Sequence, residues 1–128
     1  MHTVLIVDDD PDDIELATIA LEAAEPDINV RSALGGSAAL ALLRDGGGRP
    51  DLILLDMKML GMNGFETLRE IRADLHLRDI PVVIVTSSDL ESDRKAADSA
   101  GANSFLHKAV NMEQFSRDIK SLLERYPG

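Results

Sequence analysis

Pro50-Asp51-Leu52-Ile53-Leu54-Leu55-Asp56 is the stretch whose reading decides the fold. Four aliphatic residues in a row, with no polar alternation, are what a strand looks like when both its faces are covered. Such strands belong to parallel sheets with helices on either side. Pro50-Asp51 introduces the run, and a carboxylate ends it.

Outward from this central run, other short apolar runs alternate with segments of helical period. Thr3 to Val7 comes first, followed by Asp10-Pro11, a cap with proline at the first helical position, and by Ile14, Ala17, Leu21 and Ala24 at three-four spacing. A weak run near Ile28 to Ser32 precedes Gly35-Gly36-Ser37, which opens a helix carrying Leu40 and Leu43 and ended by Gly46-Gly47-Gly48. After the Asp56–Gly64 loop, Phe65, Leu68, Ile71 and Leu75 mark a third helix. Pro81 to Val85 is a fourth, β-branched run. Glu91 to Ala100 is helical with only alanines on its apolar side, which makes it the most weakly held helix. Ser104 to His107 leads to a last helix with Met112, Phe115, Ile119, Leu122 and Tyr126 at spacings of three and four, the pattern of a core-packed face. Five strands alternating with five helices predict an α/β domain: a doubly wound, five-stranded parallel sheet of order 2-1-3-4-5, flavodoxin-like in architecture.

The length of 128 residues fits a single domain over 1–128 with no separate output domain. The core must be aliphatic, because 45% of residues are hydrophobic while only 3% are aromatic. With no cysteine, disulfides, thiolate metal sites and cysteine nucleophiles are excluded. No signal peptide and no membrane span is legible, so a soluble, cytoplasmic protein is expected. The formal net charge of −10 repels nucleic acid and anionic membranes, so neither is an expected partner.

In a doubly wound sheet, ligands bind beyond the carboxyl ends of the strands where strand order reverses, here between the first and third strands. Those strands end in Asp8-Asp9 and in Asp56. Three carboxylates in one pocket are costly unless a cation or a shared proton relieves them. An all-oxygen site without thiolate or histidine favours a hard cation, and Mg²⁺ fits best. A carboxylate beside such an ion can act as a nucleophile toward phosphorus. The remaining strand ends offer a hydroxyl, Thr86, and a positive charge, Lys108. Alone, an aspartate pair reads as a helix cap, a Thr-Ser-Ser run as a turn and a lysine as a solvated charge. It is their coincidence at the right strand ends that points to a site. Asp10, Asp12, Asp13 and Glu15 read as capping and solvated face.

These residues resemble the receiver domain of two-component response regulators. The similarity runs through residues 4–9 (VLIVDD), 52–64 (LILLDMKMLGMNG), 81–86 (PVVIVT) and 101–108 (GANSFLHK). The resemblance implies that Asp56 is the phosphoacceptor, that Asp8, Asp9 and the backbone carbonyl of Lys58 complete a Mg²⁺ site with it, that Thr86 and Lys108 contact the phosphoryl group, and that Thr86 and Phe105 form the switch. It implies a histidine kinase or histidine phosphotransfer protein as donor, a downstream protein as target, and a homodimer through the fourth helix, fifth strand and fifth helix. Residues 74–81 (DLHLRDIP) with 86–89 (TSSD) are similar to stand-alone receivers that serve phytochrome-type kinases. Three positions depart from the family pattern. Leu60 and Ala109 stand where proline is usual, and Phe105 lacks a tyrosine hydroxyl. With Ala109 in place of proline a trans Lys108–Ala109 bond is expected, since a cis form costs about 2.5–4 kcal/mol there against about 0.5–1 kcal/mol before proline.

Three rivals remain in view. A haloacid-dehalogenase-type phosphatase also uses an aspartate after a strand, but carries a second one two residues on, where this chain has Lys58. A flavodoxin-like cofactor carrier needs a phosphate-cradling loop where this chain has acid. A degenerate receiver acting only as an interaction module lacks site groups that are all present here. The expectation is a phosphoacceptor that catalyses its own Mg²⁺-dependent phosphorylation and dephosphorylation, not a dedicated enzyme.

Overall fold

The computed structural model describes residues 2–46, 48–87, 91–108 and 111–127. Five strands and five helices alternate along the chain: β1 (Thr3–Val7), α1 (Pro11–Ala24), β2 (Asn29–Ala33), α2 (Gly36–Arg44), β3 (Leu52–Asp56), α3 (Gly64–Ala73), β4 (Val82–Thr86), α4 (Glu91–Ser99), β5 (Ser104–His107) and α5 (Met112–Arg125). The strands form one parallel sheet in the order β2-β1-β3-β4-β5, as the sequence implied.

Every residue of β3 and β4 is buried, which explains their unbroken apolar character. Alternation along the strands divides the core into two layers. Leu52, Leu54, Val83 and Val85, with Val4 and Ile6 of β1, pack against Ala17 and Leu21 of α1 and Ile119 and Leu122 of α5. Ile53, Leu55, Val82 and Ile84, with Leu5 and Val7, face Leu40 of α2, Leu68 and Ile71 of α3 and Ala97 of α4. The three-four stripe of α5 is thus used largely within its own core, with Phe115 and Tyr126 packed at the edge and Met112 exposed.

Helix ends follow local chemistry. Asp10 caps α1 by accepting the N–H of Asp12 at 2.9 Å, with Pro11 at the first helical position. Asn63 and Glu66 form a reciprocal capping box at the start of α3. In α4 only Ala97 is buried, in keeping with its expected weakness.

Some expectations need correction. β2 lies at Asn29–Ala33 and β4 at Val82–Thr86, each a residue later than the apolar run suggested. Leu75 does not continue α3, which ends at Ala73, and it is 74% exposed. Turns in which Leu77 and Arg78 donate to the Asp74 carbonyl redirect the chain, so that Leu77 and Ile80 enter the core instead. The Lys108–Ala109 bond, Gly47 of the glycine triplet and Ser88-Asp89 lie outside the described residues. Among the described residues no helix is long and apolar enough to cross a membrane.

Candidate functional site

β1 and β3 are neighbours in register, Val7 opposite Leu55, so the residues that follow, Asp8 and Asp56, come abreast at the carboxyl end of the sheet. By alternation both share the face that carries α1 and α5. Carboxylate oxygens of Asp8, Asp9 and Asp56 lie within 4.8 Å of one another. Asp8 is 5% and Asp56 7% exposed, while Asp9 is half-buried.

The backbone fixes each carboxylate. The N–H of Asp8 continues the ladder to Ala33, and its own carboxylate accepts the N–H of Asp10 at 3.0 Å. Asp9 accepts the N–H of Leu60 at 2.9 Å, which ties the β3–α3 loop to the site. Behind Asp56, α3 begins at Gly64, where any Cβ would collide with the backbone of Asp56 and stand 2.8 Å from the Cα of Met57. Glycine is required there by close approach, not by its dihedral freedom.

Burial pushes the Asp56 carboxyl up to about 6. The nearby Lys108 and a Lys58 N–H pull it down, and the charges of Asp8 and Asp9 add to the rise. Asp8 is also raised, chiefly by burial, against the opposing pull of the Asp10 N–H and Lys108. Two buried, mutually repelling carboxylates with a third beside them have the donor set and charge that a hard divalent cation fits. Among the described residues the cluster offers carboxylate oxygens as its ligand atoms.

Lys108 follows β5, and its N–H donates to the Thr86 carbonyl at 2.7 Å, extending the β4–β5 ladder. Its ammonium meets three carboxylates: Asp13 at 2.7 Å, Asp8 at 3.3 Å and Asp56 at 3.6 Å. Burial alone would lower its pKa, but the hydrogen bond to Asp13 and the charges of Asp56 and Asp8 more than offset this, and the net shift is upward. Asp13, which the sequence suggested was capping or solvated surface, is therefore part of the site. No signal in the sequence singles it out from Asp12 beside it. A cleft of about 220 Å³ between α1 and α5 opens at this point, with Asp8, Asp13, Asp56 and Lys108 among its lining residues.

Thr86 closes β4, buried to 1% exposure, and alternation places it with Ile84 on the α4 side of the sheet. Phe105 pairs with Ile84 across β4 and β5, packs against the α4-side core and lies under the guanidinium of Arg94, 4.9 Å from the ring centre. The two residues expected to form a switch thus share one side, and the carboxylates share the other with Lys108. Lys58 sits in the β3–α3 loop with its N–H directed at Asp56.

A family described as "Response regulator receiver domain" matches residues 4–120. The protein PilH of Pseudomonas aeruginosa is 36% identical over 96% of this chain and 98% of its own length. Other curated relatives are longer, and the chain spans half the length of several of them. Among solved structures, the phosphorylated cyanobacterial phytochrome response regulator RcpA superposes with a TM-score of 0.90 at 32% identity, covering 98% of this chain and 94% of that one. The Mn²⁺-bound form of the response regulator Rcp1 does so with a TM-score of 0.85 at 30% identity, covering 97% and 93%.

Proposed function

Because the chain belongs to the response regulator receiver domain family, we propose that it serves a two-component phosphorelay by taking a phosphoryl group onto Asp56 and binding a partner protein according to that modification. The observation that carries this reading is the gathering of Asp8, Asp9 and Asp56 oxygens within 4.8 Å with the Lys108 ammonium beside them. Asp8, Asp9, Asp56 and the Lys58 carbonyl would hold Mg²⁺. When bound, that ion supplies positive charge to be shared by the attacking carboxylate and the phosphoryl oxygens.

Receivers of this kind interact with histidine kinases. An Asp56 oxygen attacks phosphorus and forms the new O–P bond, while the P–N bond to the donor histidine breaks with its electron pair left on the imidazole. Lys108 and the Thr86 hydroxyl are the groups proposed to meet the transferred oxygens, and Thr86 with Phe105 to carry the change toward α4 and β5. The protein acts as an acceptor, not as a dedicated enzyme, and a cytoplasmic setting belongs to the same proposal. Likeness to the phytochrome response regulator RcpA supports a phytochrome-type kinase as donor. Self-association through α4, β5 and α5 is proposed from the family resemblance.

Intact-mass measurement after incubation with acetyl phosphate and Mg²⁺ tests the acceptor role. One phosphoryl group is expected on the wild type and none on Asp56→Asn. Modification of Asp56→Asn, or none of the wild type, would overturn it.

A further inference from the structure

The shortest contact of the Lys108 ammonium is not with the acceptor Asp56 but with Asp13, at 2.7 Å against 3.6 Å. Asp13 lies in the first turn of α1 and contacts Lys108 across 95 positions of sequence. Asp8 is the middle partner at 3.3 Å. The ammonium is therefore drawn toward Asp13 on α1 while remaining in ion-pair range of Asp8 and Asp56.

A cation held squarely between Asp8 and Asp56 would occupy the same oxygens that a divalent ion needs and would repel it at close range. Asp13 offers the lysine a stronger alternative, in a helical first turn where negative charge is already favoured. Resting on the reading that Asp8, Asp9 and Asp56 bind Mg²⁺, we propose that Asp13 is a positioning residue. It draws the Lys108 ammonium toward α1 in the metal-free protein and so loosens its hold on the Asp8 and Asp56 oxygens that the ion needs. Lys108 stays within reach of a phosphoryl group arriving on Asp56, because only a short swing separates the two partners. Asp12, one position earlier in the same turn, is exposed, lacks this contact and serves as the control for a bland helix-end role.

The test is a double-mutant cycle on Mg²⁺ affinity by calorimetry, with Asp13→Asn in the wild-type and Lys108→Met backgrounds. The through-space field of Asp13 on the ion is the same in both backgrounds and cancels. Only movement of the ammonium survives as non-additivity. Asp13→Asn is expected to weaken Mg²⁺ binding about three- to tenfold more with Lys108 present than with methionine. Asp13→Glu should restore binding in part, and Asp12→Asn should leave it unchanged. Carbon-13 lysine spectra of the metal-free protein give a readout independent of any ion: the Lys108 ε-methylene signal should move in Asp13→Asn and stay in Asp12→Asn. Equal effects of Asp13→Asn in the two backgrounds, or an unmoved Lys108 signal, would overturn the role of Asp13 while leaving the acceptor reading intact. Failure of the wild type to bind Mg²⁺ at all would overturn the functional reading, and the metal part of this proposal with it.

Discussion

The backbone N–H of Leu60 donates to Oδ2 of Asp9 across 2.9 Å, so an exposed loop residue orients one of the three clustered carboxylates. Leu60 itself is 89% exposed, and its side chain plays no part in that bond. Receivers usually carry proline here, which has no N–H to give. Leu60→Pro is therefore expected to weaken Mg²⁺ binding by roughly tenfold, the lower end of what loss of a ligand-orienting partner costs. Leu60→Ala, which keeps the N–H, should bind as the wild type does. Calorimetry that finds the two variants alike would remove the hydrogen bond from the account of the metal site.

Asp56 makes stability depend on pH in an unusual direction. Its folded-state pKa is about 6 against an ordinary value of 3.8. Between pH 4 and 6 the folded protein thus holds more protons than the unfolded chain, and stability falls as pH rises through that window. Without metal, Asp56→Asn should gain on the wild type across this range, by roughly 2–3 kcal/mol at full ionisation. Urea unfolding followed by circular dichroism at pH 4.5 and 7 measures the gap. A gap that does not widen with pH would contradict the assigned burial of the carboxylate. Added Mg²⁺ should stabilise the wild type more at pH 7 than at pH 5, because protons compete for the same oxygens.

Gly64→Ala tests the support behind Asp56. The added methyl would press on the backbone of Asp56 and Met57, neither of which can yield as a side-chain tip could. A loss of about 1–3 kcal/mol is expected from overpacking, together with slower phosphorylation by acetyl phosphate. Unchanged stability and rate would mean that α3 is free to move away from β3.

Hydrogen exchange should find α4 the least protected helix. One buried side chain, Ala97, anchors Glu91–Ser99, whereas α5 buries Ile119, Leu122 and Leu123. Amides of α4 are expected to exchange roughly tenfold or more faster than those of α5. Equal protection would show that α4 opens only with the whole domain.

Any homodimer through α4, β5 and α5 must be largely electrostatic, because the apolar stripe of α5 is already spent on its own core. Arg94, Lys95 and Asp98 of α4 and Arg117 and Lys120 of α5 are exposed charges on these two helices. Sedimentation with beryllofluoride and Mg²⁺ should show association that weakens as salt is raised. A monomer with and without the mimic would exclude this interface.

The sequence by itself determined the ten-element order, the parallel sheet and the convergence of the three carboxylates. Unbroken aliphatic runs such as Leu52–Leu55 report burial on both faces, and the parallel crossovers this requires bring Asp8 and Asp9 beside Asp56. These are properties of single elements and of topology, and local pattern encodes both. Tertiary structure alone decided the rest. Leu75 and Leu77 are two residues apart and alike in composition, yet a turn at Asp74 sends one to solvent and the other to the core. Asp12 and Asp13 are adjacent acids in one helical turn, yet only Asp13 meets Lys108. Which of two equivalent groups finds a partner 95 residues away depends on the rotation of α1 against the end of β5. That rotation is set by the packing of many side chains at once, and no short stretch of sequence records it.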